Sequence, residues 1–215
     1  LFQLIIAAAV KCFVLRPKMN RFIKGYRLYE RDELTVAFTV KKEFKDDSHE
    51  ALAYVAFDDD STLETVREKI YDIIHSCRSE DLDNATQAMD IIRKMPRPVL
   101  RLFMWFVHKM DFYGWLPDVL IGDDPNHASI FLTNLGSIGL KAGYHHLSNF
   151  GTNSCFVVIG EIKEIDGKQY VDIGLTLDER IADGYYYSKT VKLLKHLLQN
   201  PELLELPANQ EVDYE

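Results

Sequence analysis

The stretch LTLDERIADGYYYSKTVKLLKHLL, residues 175–198, changes its hydrophobic period in the middle. Leu175 and Leu177 alternate with Thr176 and Asp178, as in a strand with one buried face. After Asp183-Gly184 the apolar residues fall at Tyr187, Val191, Leu194 and Leu198, which is helical spacing. A chain that closes on such a unit needs a sheet layer and a helix layer sharing one core. The junction between them holds four charges, Asp178, Glu179, Arg180 and Asp183. Taken alone, it reads as a solvated turn closed by a helix N-cap.

The rest of the chain supplies the other parts of those layers. Phe2, Ile5, Ile6, Ala9, Phe13 and Val14 mark one face of a helix that breaks at Pro17. YRLY (26–29) and LTVAFTV (34–40), separated by the polar run ERDE, carry a hairpin signature. ALAYVAF (51–57) is apolar on both faces and is expected to be a central strand. Ser61 with Glu64 three residues on forms a capping-box pattern ahead of a helix with the stripe Leu63, Val66, Ile70, Ile73 and Cys77. A second helix is predicted over 81–94, before Pro96 and Pro98. Strands follow at 129–133, 154–159 and 169–177, then a closing helix from Gly184 to Asn200. Strands in succession, with helices gathered in groups, predict an α+β domain over 1–215: a mainly antiparallel or mixed sheet with helices on one face.

Length and charge narrow the function classes. A chain of 215 residues suits one domain with a substantial core. Its net charge of −8 argues against phosphate-backbone binding, so nucleic acid is not an expected partner. Cys12, Cys77 and Cys155 are odd in number and lack metal-ligand spacing, which reads as reduced thiols in a cytoplasmic protein with no metal. The opening LFQLIIAAAVKCFVL has no basic segment ahead of it and no clear cleavage site, so it is expected to be a buried helix rather than a signal peptide. With no initiator Met, the sequence reads as a fragment lacking its N-terminal part. The aromatic run 98–117 is too short and too charged to span a bilayer. A core or subunit-interface helix is the favoured reading, and peripheral membrane contact the alternative.

Two motifs bear on chemistry. In TNLGSIG (133–139) the glycines lack phosphate-loop spacing; Thr133 at a strand end either caps backbone groups or aims a hydroxyl at an oxyanion. In YHHL (144–147), His145 and His146 on an extended segment are expected to point to opposite faces, one as an acid or base and the other as packing. The order of the pieces carries more than either motif. TNLGSIG precedes a strand ending VVIGEI, then a strand running into DERIADG, then an amphipathic helix closing on NPELL. This order resembles the catalytic domain shared by chloramphenicol acetyltransferase and the dihydrolipoyl acyltransferases of 2-oxo acid dehydrogenase complexes. The family's strand-end Ser/Thr-Asn-Leu/Ile-Gly segment matches Thr133-Asn134-Leu135-Gly136, and its His-x-x-x-Asp-Gly signature falls on residues 179–184.

The resemblance implies a two-layer sandwich assembled as a homotrimer, with acyl-coenzyme A as substrate. It also implies an active site shared across the subunit interface. There a base removes a proton from coenzyme A or the acceptor, while a hydroxyl from the neighbouring subunit steadies the oxyanion. Thr133 keeps the hydroxyl and Asp183 the turn-ordering carboxylate, but Glu179 stands where the family has its histidine. A thiol titrates near 8.5, an imidazole near 6.5 and a carboxylate near 4.3, so Glu is the weaker base by about 3 kcal/mol, on the order of a hundredfold. Burial, with Asp178 and Asp183 nearby, raises a carboxylate and narrows that gap, while Arg180 opposes it. Two functions follow: a CoA-dependent acyltransferase with Glu179, or else His145 or His146, as base; or a non-catalytic trimeric scaffold or ligand-binding relative.

Overall fold

A computed structural model of the chain describes residues 1–41, 50–79, 94–117 and 124–214. Its elements are α1 (Phe2–Leu15), β1 (Arg21–Lys24), β2 (Arg27–Glu30), β3 (Leu34–Lys41), β4 (Glu50–Phe57), α2 (Leu63–Ser79), α3 (Arg97–Tyr113), β5 (Ile130–Asn134), β6 (Cys155–Ile165), β7 (Lys168–Leu177) and α4 (Gly184–Gln199). Strands β3 to β7 form one mixed sheet in the order β4-β3-β5-β6-β7. β5 runs parallel to both its neighbours, while the outer pairs β3–β4 and β6–β7 are antiparallel.

Alternation along the strands decides the layering. Val36 and Phe38, Ala53 and Val55, Ile130 and Leu132, and Cys155 and Val157 point into one core. Ile6, Cys12, Val66, Ile70, Leu193 and Leu197 meet them there, so α1, α2 and α4 cover one face of the sheet. Lys11 of α1 is 1% exposed and donates to the carbonyl of Pro207 (2.8 Å), tying the C-terminal segment to the helix layer. Burial holds its ammonium below the ordinary lysine range. The result is the α+β two-layer arrangement, with its sheet mixed.

Several expectations change. YRLY does not pair with LTVAFTV; β2 pairs with β1 around a Gly25-Tyr26 turn in which both residues have positive φ, forming a separate two-stranded ribbon. Such φ values suit the tight two-residue hairpin, which outcompetes the longer ERDE connection. Residues 51–57 form an edge strand and not a central one. Its second face is apolar through alanine and Leu52, yet Leu52 is 41% exposed, so apolarity there did not signal burial. The capping box lies one residue later than read: Thr62 N donates to Thr65 Oγ1 (2.8 Å) and Thr65 N to Thr62 Oγ1 (3.4 Å). Ser61 Oγ instead accepts from Asp58 N. The predicted helix over 81–94 lies outside the described residues except at its end. Residues 98–117 lie mostly outside the core: most of the α3 side chains are exposed and Asp111 is the helix's buried residue, while Leu116 beyond the helix is buried. Among the described residues no helix is long and apolar enough to cross a membrane.

Candidate active site

The sheet face opposite the helices carries Phe131 and Thr133 from β5, beside Phe156 and Val158 from β6. Phe131 and Phe156 stack with centroids 4.8 Å apart. Residues 140–148 cross this region without regular secondary structure. They approach so closely because two strand positions lack side chains. A Cβ on Gly160 would lie 2.4 Å from Ala142 N, and one on Gly174 would lie 2.3 Å from the Gly143 carbonyl oxygen. Glu161 N donates to the Leu140 carbonyl (2.9 Å) and pins the start of the segment.

That segment delivers the histidines. His145 stacks flat on Phe156, centroids 4.0 Å apart and planes 3° off parallel. His146 stacks loosely on His145 at 5.4 Å. The two rings therefore lie on the same side, contrary to the alternation expected of an extended segment, because the backbone here is not a strand. His145 Nδ1 lies 2.7 Å from the His146 carbonyl, and His146 Nδ1 lies 2.9 Å from the Leu147 carbonyl. A carbonyl only accepts, so each neutral ring places its proton on Nδ1 and leaves the Nε2 lone pair free. That is the tautomer a general base requires. Thr133, His145 and His146 line one cleft of about 750 Å³, together with Phe131, Phe156 and Val158. That volume falls within the ordinary range for small-molecule sites, about 300–1,000 Å³. No other described side chain engages the Thr133 hydroxyl, while Asn134 is occupied in accepting from Ser137 N (3.2 Å).

The charged junction lies elsewhere. Asp183 caps α4, its Oδ1 accepting from Tyr186 N at 2.9 Å, and that N–H holds its carboxyl below the usual range. Asp178 receives a forked pair from Arg180, with Nε at 2.8 Å and Nη2 at 2.6 Å from its two oxygens. Burial pushes the Asp178 carboxyl up, and the bonds and charge of Arg180 more than reverse this. The Tyr187 hydroxyl donates to the Asp178 carbonyl, and Ile181 plugs the core below. Glu179 is exposed and makes no hydrogen bond or ion pair among the described residues.

Glu179 and Thr133 do not meet within one chain. Thr133 is level with Val158, and Val158 with Gly174, two strands across. Leu177 is already about 10 Å further along β7, and Glu179 lies beyond it, so the separation is roughly 15–20 Å. A second polar cluster, with no precedent in the sequence pattern, sits below α3. Asp111 pairs with Lys24 and lies 3.4 Å from His127 Nε2, while His127 Nδ1 lies 3.2 Å from Asp124. Burial pushes the Asp124 carboxyl up, and the bonds from His127 and Asn126 outweigh it, leaving it below the usual range. Among the described residues no group of His, Cys, Asp and Glu is arranged to hold a metal ion.

No family model matches the chain, and no curated protein matches it. Solved structures do. A probable dihydrolipoamide acetyltransferase from Listeria monocytogenes 4b F2365 superposes with a TM-score of 0.58 at 14% identity, over 93% of this chain and 70% of that one. The cubic core of the pyruvate dehydrogenase multienzyme complex gives 0.60 at 15% identity, over 95% and 70%. A chloramphenicol acetyltransferase gives 0.57 at 15% identity, over 92% and 77%. With its mixed sheet and one-sided helix layer, the chain has the chloramphenicol acetyltransferase-like fold that dihydrolipoamide acetyltransferase cores share.

Proposed function

We propose that the protein is an acyltransferase that moves an acyl group between coenzyme A and an acceptor, and that its base is His145. The observation that carries this reading is the placement of a free, tautomer-fixed Nε2 in the same cleft as the unengaged Thr133 hydroxyl. Phe156 holds the ring, and Thr133 is a diagonal neighbour of Phe156 on the sheet face, roughly 7–8 Å away, which leaves room for reacting atoms between them. In the transfer, Nε2 takes the proton of the acceptor X–H as X bonds to the thioester carbon. The oxyanion forms against Thr133, the C–S bond breaks, and the imidazolium returns its proton to the departing thiolate. The apolar lining suits a pantetheine arm, and Lys41 at the cleft offers a cation to phosphate.

Glu179, the base that the family position favours, is too distant in its own chain. It joins this site only if a neighbouring subunit presents it, and the homotrimer of the family resemblance has that geometry. There the carboxylate would face an imidazole rather than a thiol. The second reading, a non-catalytic trimeric relative, is favoured by one feature: Glu179 is solvent-exposed and has no partner among the described residues where the family has its histidine.

Release of free CoA thiol from a series of acyl-CoAs, with amine, hydroxyl and thiol acceptors, tests the proposal. His145→Ala is expected to lower transfer by about 10²–10⁴, and Thr133→Val by about 10²–10³. His146→Ala is expected to be milder. Loss of transfer in Glu179→Gln with His145→Ala unaffected would return the base to Glu179. No turnover and no acyl-CoA-induced melting shift in the unaltered protein would leave the scaffold reading standing.

A further inference from the structure

α3 is inside out. A helix on the surface of a globular domain turns its apolar stripe inward. In α3 the stripe facing the protein is Leu100, Met104, Val107 and Asp111, which ends in a buried carboxylate paired with Lys24. The opposite stripe, spaced by three, four and seven residues, is Val99, Leu102, Phe106 and Tyr113. These are exposed by 53%, 59%, 53% and 56%. Trp105 and Trp115 extend the same surface at 55% and 68%. The hairpin tip adds to it. Tyr26, at φ 63° and 91% exposed, packs edge-on against Phe112, so a non-glycine residue is held in the left-handed region while presenting its ring beside the helix.

Charge selects the occupant of this surface. The chain as a whole carries −8, yet the charged residues of 94–117 are Lys94, Arg97, Arg101, Lys109 and the buried, neutralised Asp111. Its exposed charges are therefore all positive. By helical spacing Arg101 lies one turn before Trp105 at one edge of the exposed face, with Arg97 a turn further back, and Lys109 holds its amine over the Trp105 ring. Arg27 at the hairpin tip lines a groove with Phe112 and Tyr113. Tryptophan and tyrosine beside long basic side chains match the headgroup zone of a lipid bilayer, where rings lie at the acyl boundary and basic groups reach up to phosphate.

We propose that α3 and the β1–β2 tip form an interfacial docking surface for anionic membranes, with the helix lying in the headgroup plane. The proposal is independent of the acyltransferase reading. Lys24, Asp111 and His127 fix the roll of α3 so that the aromatic stripe faces outward.

Trp105 and Trp115 are the two tryptophans of the chain, so its own fluorescence reports this surface. The full chain is titrated with phosphatidylglycerol–phosphatidylcholine vesicles at low salt. A blue shift is expected, together with quenching by brominated acyl chains and weakening at higher salt; pure phosphatidylcholine should give at most a small response. The pair Arg97→Glu/Arg101→Glu and the pair Leu102→Ser/Phe106→Ser should each weaken binding at least tenfold. Both change exposed side chains, so the melting temperature should hold, and circular dichroism checks that it does. Absence of vesicle binding in the folded, unaltered chain overturns the proposal. So does emission already blue-shifted without lipid in an oligomer that Leu102→Ser/Phe106→Ser dissociates, which would make the surface a subunit interface.

Discussion

A methyl group placed on Gly160 tests how the histidine segment is held on the sheet. The added Cβ would stand 2.4 Å from Ala142 N, 3.1 Å from Ala142 Cβ and 3.2 Å from Ala142 Cα, and ordinary contact begins at 3.4 Å. The obstacle is backbone, so residues 140–146 must lift by about 1 Å or the sheet must deform, which typically costs 1–3 kcal/mol. Lifting also strains the bond from Glu161 N to Leu140, worth about 1 kcal/mol, and opens the His145–Phe156 stack, worth roughly 0.5–1.5 kcal/mol. Partial losses together give roughly 2–4 kcal/mol, or a melting temperature lower by about 5–12 °C in a chain of this length. Gly143→Ala is the control, because a Cβ there meets nothing within 4 Å. The assay is thermal unfolding followed by circular dichroism, with the proton NMR shifts of the His145 ring reporting its stacking. If Gly160→Ala melts with the unaltered protein and leaves the His145 ring shifts in place, the close approach of segment and sheet is wrong, and the catalytic role for His145 goes with it.

Asp183→Ala should lower the melting temperature by roughly 2–4 °C through loss of the Tyr186 N–H bond, whereas Asp183→Asn should not, since asparagine caps equally well; equal losses in both would make charge rather than capping responsible. Asp111→Ala strands Lys24 in surroundings where the two side chains are 12% and 13% exposed, and should cost about 3 kcal/mol in denaturant unfolding. Lys24→Met/Asp111→Leu should cost less than that single change. The folded carboxyl of Asp178 titrates below its unfolded value, so its stabilisation is complete above about pH 4–5 and is lost as pH falls through the folded value. Asp178→Asn should flatten the decline of melting temperature below about pH 4. Burial pushes the Cys155 thiol up to about 12 and raises Cys12 still further, so at pH 8 neither should react with a disulfide reagent until the chain unfolds. Rapid labelling of either in the native protein would contradict their burial.

Much of the fold was legible because its signals are local. Alternation gave β3, β5, β6 and β7, and the change of period at 178–184 gave both the end of the sheet and the start of α4. Where the sequence misled, the deciding contact was distant. Ala51–Phe57 looks central by composition, but pairing on one side only is a property of the whole sheet. The site divides in the same way. Thr133 and Asp183 could be placed from motifs, whereas His145 owes its position to Phe156, Gly160 and Gly174. These residues belong to later strands, and nothing in YHHL points to them. A glycine where a buried strand would carry an apolar residue was the available signal, twice over. The apolar run of α3 was legible as a helix, but whether it faces the core or outward was left open, since the Lys24–Asp111 pair that sets its roll joins residues far apart in the chain.

The placing of β5 has a consequence for how the molecule comes into being. β3 and β4 are antiparallel neighbours in sequence, and β6 and β7 are joined by the two-residue turn Asp166-Gly167, so each outer pair can form from nearby segments. β5 is the short middle strand that zips the two ribbons together, and it is parallel to both. Its pairing of Ile130 with Val36 closes a loop of about ninety residues, a step whose entropy is lost before any contact rewards it. The sheet is thereby expected to be completed from its edges inward, with β5 protected last in pulsed hydrogen exchange. Thr133 lies near the end of that strand, so partly folded chains would hold both ribbons without a cleft. Competence to bind would then arrive with the final strand, and a chain still waiting for it would expose two parallel-accepting edges to other chains.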